Sequence, residues 1–329
     1  MDKQSAVIQK GFIFSLLIFY LVSCNNPIGT DLPKENPETA DCYFPPANGG
    51  GIGTGYNYIF DEISYKNPYF NPNNPDEFIC LESGDLIKYC ISENKKSVIY
   101  QPINNINYQP KWSRNGKIAF NTSDNNIWIM DDTGANPTKI TNIGVDISIN
   151  YYGEFSYTGD SLLFHTVGSY EDGDSRKTRI AYDNYSKFDT LQLIDVSPTT
   201  NWQKPGYLLD IWFSSATCIN LFNPDVFNTF SFGDTMSEGG VIWEENKIDF
   251  YCYRGDGIYK GNIISNTFIK IKDMCPFVYY LYPCYSEISK KVISEKVTKE
   301  YIGSNTVYVK YEIITMNPDG SDEHIILPQ

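Results

Sequence analysis

One stretch of this chain is built to a plan that recurs along it. A recurring plan constrains the fold more than any single residue, because each copy must bury its apolar surface against the next. The clearest copy runs from Gln109 to Thr141, QPKWSRNGKIAFNTSDNNIWIMDDTGANPTKIT. It divides into four short strands. Trp112 and Ser113 close the first, and Arg114-Asn115-Gly116 turns the chain, glycine supplying the backbone freedom of a tight turn. Lys117 to Asn121 is the second strand, apolar at Ile118 and Phe120. Asp124-Asn125-Asn126 turns into Ile127–Met130, an apolar run of the kind that is buried on both faces. Asp131 to Asn136 turns once more, into Thr138-Lys139-Ile140-Thr141. Four strands joined by hairpins describe one blade of a β-propeller.

Weaker copies align on the residue that closes the first strand. These anchors are Phe70, Trp112, Phe155, Trp202, Ile242 and Tyr285, spaced by 42, 43, 47, 40 and 43 residues. A four-stranded blade takes roughly 40–45. Apolar second strands follow at Phe78-Ile79, Leu162–Phe164, Leu208-Leu209, Ile248–Phe250 and Val292-Ile293. Third strands recur at Leu86–Ile91, Ile180–Asp183, Gly257–Gly261 and Val307–Met316. Asn317-Pro318-Asp319-Gly320 turns where Asp131–Gly134 does. No apolar pattern holds a helical period over three turns. The reading is an all-β chain, a six-bladed β-propeller of four-stranded antiparallel blades over residues 58–329. The alternatives are seven blades, for which 57–69 is too short a unit, and a β-sandwich, which short strands at such spacing also suit.

The Gln109–Thr141 unit resembles the WD-repeat-like blade of TolB-type propellers, whose pattern is roughly P-x-W-S-P-D-G-x-x-I-A-F, a turn, I-Y-x-M-D, G-x-x-x-x, L-T. Pro110, Trp112, Ser113, Gly116, Ile118, Ala119, Phe120, Ile127, Met130, Asp131, Gly134 and Thr141 match it. Arg114-Asn115 replaces the Pro-Asp of the turn, and Ile140 the final Leu. The resemblance implies contact with other envelope proteins, peptidoglycan or a polysaccharide.

The N-terminus reads as an address. Lys3 and Lys10 precede an apolar run, Gly11 to Ser23, of 13 residues. A membrane span needs roughly 20, so the run fits the core of a secretory signal peptide, residues 1–23. Leu21-Val22-Ser23-Cys24 resembles a bacterial lipobox, which implies that Cys24 is acylated and becomes the mature N-terminus. Residues 24–57, rich in Pro, Gly and Asn, read as the lipidated end and a tether. Gly49–Gly55 (GGGIGTG) lacks the Lys-Ser/Thr of a phosphate-binding loop and no helix pattern follows it.

The net charge of −14 argues against nucleic acid, whose phosphates demand clustered Lys and Arg. Aromatics at 15% argue against a disordered chain. Of 8 cysteines, lipidation of Cys24 leaves an odd number, so one thiol at least stays out of any internal disulfide. Cys275 and Cys284 are nearest in sequence among plausible pairs, and Cys80 and Cys90 are out of register about the Ser83-Gly84 turn. No C-x-x-C and no metal-spaced histidine cluster occurs, and no cofactor is implied. His165 and His324 fall at a second and a last strand and read as blade residues. No G-x-S-x-G elbow is present. The acidic turns Glu171–Asp174, Asp131–Asn136 and Asn317–Asp322 offer oxygen ligands, yet Asp-Gly is also standard hairpin chemistry.

Aromatic residues gather in the loops that lead from one fourth strand to the next first strand, which open on one face around a propeller's channel. They are Tyr108, Tyr151, Tyr152, Trp202, Tyr279, Tyr280 and Tyr282. Large rings with polar tips recur at binding surfaces. The functional expectation is a lipid-anchored binding or scaffolding module of the bacterial cell envelope, at the outer membrane, facing periplasm or surface, that contacts proteins or glycan without catalysis. The rival is a carbohydrate- or peptide-active enzyme using channel carboxylates. Two carboxylates about 5–10 Å apart in a deep pocket would mark the enzyme.

Overall fold

A computed structural model describes residues 57–328 apart from breaks, the longest at 142–149, 168–175, 192–200, 221–226, 232–236 and 244–248. The expected signal peptide, Cys24 and all but the last residue of the expected tether lie outside the described residues.

Every described regular element is a strand. The chain enters through β1 (Asn57–Phe60). The first sheet follows as β2 (Tyr65–Phe70), β3 (Glu77–Glu82), β4 (Asp85–Cys90) and β5 (Lys95–Tyr100). The second is β6 (Lys111–Trp112), β7 (Lys117–Asn121), β8 (Ile127–Asp131) and β9 (Thr138–Lys139). The third is β10 (Asn150–Phe155), β11 (Leu162–Val167), β12 (Arg176–Tyr182) and β13 (Lys187–Leu191). The fourth is β14 (Asn201–Lys204), β15 (Tyr207–Trp212), β16 (Ser215–Asn220) and β17 (Phe227–Ser231). The fifth is β18 (Ser237–Trp243), β19 (Asp249–Arg254), β20 (Gly257–Asn262) and β21 (Thr267–Asp273). The last holds β22 (Val278–Ser286), β23 (Lys291–Gly303), β24 (Thr306–Met316) and β25 (His324–Leu327), with β1 added.

Each sheet is an antiparallel meander in sequence order, as hairpin-linked strands must be, except that β1 joins the last one out of order and in parallel. All six anchors fall in first strands, β2, β6, β10, β14, β18 and β22. The first strand of each sheet lies beside the first strand of the next, and β22 lies beside β2. The sheets therefore form a closed ring, the β-propeller arrangement. One part of the expectation is corrected: five sheets have four strands, but the last has five. The cause is the length of β24. Its 11 residues give an outer edge long enough for two strands end to end, β25 beside Ile313–Thr315 and β1, in parallel, beside Thr306–Val309.

The core lies between sheets, which explains why the third strand of the second sheet, Ile127–Asp131, is apolar at successive positions. In the second sheet, Trp112, Ile118, Phe120 and Met130 share one face by register and pack into the cluster of the first sheet, with Phe78, Leu86 and Tyr89. Ala119, Ile127 and Ile129 take the other face, against Phe155, Leu162 and Phe164 of the third. A blade buried on both sides needs apolar residues at successive positions, as Ile127–Met130 supplies.

Two thiols expected as neighbours in a bridge are not joined. No disulfide links Cys275 to Cys284. Cys284 is buried on β22, its Sγ accepts the Phe70 N–H at 3.3 Å, and burial pushes its thiol up to about 12.

Candidate functional site

First strands bend where they enter the ring. The register of β2 on β3 shifts between Lys66 and Tyr69, and that of β22 on β23 between Leu281 and Cys284. These are β-bulges, which re-aim side chains. Asn67 and Tyr282, each three residues before an anchor, have φ of 56° and 51°. The first-strand registers in the third, fourth and fifth sheets shift as well.

The last sheet extends past its ring contacts. β23 has 13 residues and β24 has 11, and both run well beyond their pairing with the inner half of β22. This tongue has two unlike faces, set by the two-residue period. One carries Tyr279, Val297 and Tyr311 in a row across the strands, then Lys299, Val309 and Phe60, then Tyr301, Val307 and Tyr58. Val297, Val307 and Val309 form its small apolar core. The other face is polar: Glu323 reaches Lys272 at 2.6 Å and Lys296 at 2.7 Å, and takes the Tyr280 hydroxyl at 2.9 Å.

The apolar face walls a cavity of about 600 Å³. Tyr58, Phe60, Tyr279, Tyr282 and Tyr311 supply rings, Lys66 and Asn67 come from β2, and Glu295 and Lys299 come from β23. Tyr58 and Phe60 are half exposed, with ring centroids 6.5 Å apart and planes within 26° of parallel. Lys66 lies 4.4 Å over the Tyr311 ring, and Lys299 lies 4.7 Å over that of Tyr279. Glu295 is buried; its Oε2 accepts the Asn67 N–H at 2.9 Å. Burial pushes its carboxyl up to about 7, against the lowering effect of that hydrogen bond and of Lys66. The arrangement can stack a flat ring at its mouth, pair an anion or polar group with ammonium, and offer one neutral or charged carboxyl within.

A second polar cluster lies deeper, on the first strands. The Tyr69 hydroxyl donates to Glu154 Oε1 at 3.1 Å, and Lys111 Nζ lies 3.4 Å from Glu154 Oε2. Lys111 donates to Gln109 Oε1 at 2.9 Å, and Gln109 Nε2 donates to the Pro68 carbonyl at 2.6 Å. All four side chains are buried. Burial raises the Glu154 carboxyl despite Lys111 and raises the Tyr69 hydroxyl well above its ordinary value. This cluster joins the first, second and third sheets at the ring's centre.

The expected aromatic residues divide. Tyr279 and Tyr282 line the cavity. Tyr280 points to the opposite face of β22 and is buried. Tyr108 is half-buried against the cluster between the second and third sheets. Trp202 is half-buried on β14, and Tyr151 and Tyr152 lie on β10 with side chains outside the described residues. Lys66, Asn67, Glu295, Lys299, Tyr58, Phe60 and Tyr311 escaped sequence reasoning. The alternation of Tyr58 and Phe60 was the one available signal.

The remaining candidates serve the strands. His324 is exposed on β25, its Nε2 2.7 Å from Asp322 Oδ1, and the His165 side chain lies outside the described residues. Asp131–Asn136 and Asn317–Asp322 are hairpin turns, in which Asp131 takes Asn136 Nδ2 and Asp319 takes the Ser321 N–H. Glu171–Asp174 lies outside the described residues.

No family model matches the chain, and no curated protein does. Solved structures do. The tricorn protease aligns with a TM-score of 0.60 at 12% identity, over 80% of this chain and 26% of its own, so the chain spans about a quarter of that protein. An oligogalacturonate lyase in complex with manganese aligns at 0.51 and 6% identity, covering 79% of this chain and 76% of its own. A putative TolB from Agrobacterium tumefaciens aligns at 0.39 and 12% identity, over 81% and 82%, too low a score to argue from. At such identities the likeness is one of fold, and the class that ring and sheets define is the β-propeller.

Proposed function

We propose that this chain is a lipid-anchored, non-catalytic binding module of the bacterial cell envelope, that the five-stranded sheet is its sixth blade, and that the tongue cavity takes a glycan chain. The observation that carries the reading is the exposed Tyr58–Phe60 pair at the mouth of a cavity walled by three more tyrosines. Near-parallel rings of this kind accept the C–H face of a pyranose, and the polar tips and amide beneath them accept its hydroxyls. A hydrolytic reading lacks its second acid among the described residues, where Glu295 is the one carboxylate lining the cavity.

Affinity electrophoresis of the full chain against a panel of neutral, amino and acidic polysaccharides tests this. Retardation by at least one class, abolished when Tyr58→Ala is combined with Phe60→Ala, is the expected result; mobility unaltered by every polysaccharide sinks it. Cys24→Ala should move the protein from the membrane to the soluble fraction, and unchanged fractionation would overturn the anchor.

A further inference from the structure

Among the described residues, the cavity's two lysines lack a paired carboxylate. At a net charge of −14, many lysines elsewhere in the sheets meet one: Lys96 meets Glu82, Lys117 meets Asp131, Lys291 meets Asp322, and Lys310 meets Glu312, while Lys88 and Lys139 lie singly over the Trp112 and Trp128 rings. Lys66 and Lys299 do not form an ion pair among the described residues. Both line the cavity, and both rest on tyrosine faces, Lys66 on Tyr311 and Lys299 on Tyr279. A cation over an aromatic face keeps its N–H donors available to an anion on the other side. Lys299 also donates to the Tyr279 hydroxyl at 3.4 Å, which fixes its direction.

The one carboxylate among the cavity's described lining residues does not oppose an anion as an exposed glutamate would. Glu295 faces Lys66 and Asn67 of β2, Cys80 of β3 and Tyr311 of β24, and burial holds its proton to about pH 7. In the protonated form the cavity presents two ammonium groups, five rings and no negative charge from its lining side chains.

We infer that the cavity takes the carboxylate of a uronic-acid unit in a glycan, held by the Lys66 and Lys299 ammonium groups with sugar rings against Tyr58 and Phe60. This rests on the glycan reading above and narrows it to acidic sugars. A carboxylate on a peptide would meet the lysines but leave the flat platform without a matching face, which is why the sugar is preferred.

Carboxyl reduction converts a uronate into the neutral hexose without changing linkage, so it isolates the charge. The test is calorimetric titration of the full chain in detergent with alginate, hyaluronan and polygalacturonate oligosaccharides and the carboxyl-reduced form of each. At least one uronate is expected to bind ten-fold or more tighter than its reduced form, with affinity falling as salt rises. Lys66→Gln with Lys299→Gln should erase that difference while the chain still unfolds in one cooperative transition, because both side chains are half exposed. Reduced oligosaccharides binding as tightly as the acids would overturn the inference and leave the glycan reading standing. So would a double variant that still prefers the acid. Binding of no carbohydrate in either experiment overturns both.

Discussion

Glu295 holds its proton to a pH at which an exposed glutamate has already lost it, because its carboxyl is buried between β2 and the tongue. That has a consequence for stability whose sign is fixed. From about pH 4.5 to 7 the unfolded chain releases this proton while the folded chain keeps it. Glu295's contribution is therefore fully present below the unfolded value, falls through that window and is lost above the folded value. Glu295→Gln keeps an acceptor for the Asn67 N–H and removes the titration. It should leave stability unchanged at pH 4 and raise it at pH 8 by about 1–3 kcal/mol. Denaturant midpoints at the two pH values check this; an equal shift at both would assign the effect to packing instead. Nothing in the sequence marks this residue. Ser294–Tyr301 reads SEKVTKEY, an alternation of charge that looks like a solvated edge. What buries Glu295 is the bulge in β2, whose Asn67 turns its N–H toward it across 228 positions of sequence.

Turns were the most legible elements, and for a physical reason. The β8–β9 and β24–β25 hairpins close alike: Gly134 N–H donates to Asp131 O and Gly320 N–H donates to Asn317 O, both at 2.9 Å. Gly134 and Gly320 have φ of 85° and 81°, in the left-handed region that glycine favours. Each also presses on the preceding sheet, where a Cβ would overlap the carbonyl oxygen of Ile99 in β5 or of Ile271 in β21. One glycine thus sets both a turn and an inter-blade distance, and so it shows in the sequence as Asp-Thr-Gly and Pro-Asp-Gly. Gly134→Ala and Gly320→Ala should each destabilise by roughly 2–4 kcal/mol, the backbone cost plus displacement of the neighbouring strand. A thermal midpoint within a degree of wild type for either would count against this packing. The bulges were illegible because Asn67 and Tyr282 share a position and no side-chain property. The tongue was illegible because β1 reaches it in parallel from the far end of the chain, leaving only the two alternating aromatics as a trace.

At the scale of the molecule, the steady anchor spacing made a ring legible, since blades of one size close only against one another. How the ring's centre is filled was not, because its polar groups come from three sheets and form no local pattern. Tyr69, Lys111 and Glu154 meet there, and Gln109 ties them to the Pro68 carbonyl. Arg114 and Glu287, 2.7 Å apart at the opposite turns, bridge the second sheet to the last. That surface pair is half exposed and contributes little. The buried pair behaves differently. Removing one partner of a buried ion pair strands a charge in low dielectric, which costs about 3–5 kcal/mol, whereas removing both is often close to neutral. Lys111→Met alone should therefore lower stability by about that amount, and Lys111→Met with Glu154→Gln should recover most of it, since Gln still accepts from the Tyr69 hydroxyl. Because the cluster joins three sheets, the loss should appear as a shift of one cooperative transition, read by tyrosine fluorescence and by far-ultraviolet dichroism together. Additive losses in the double variant would mean that Lys111 and Glu154 do not sense each other, and a split transition would mean that the blades around the cluster do not unfold as a unit.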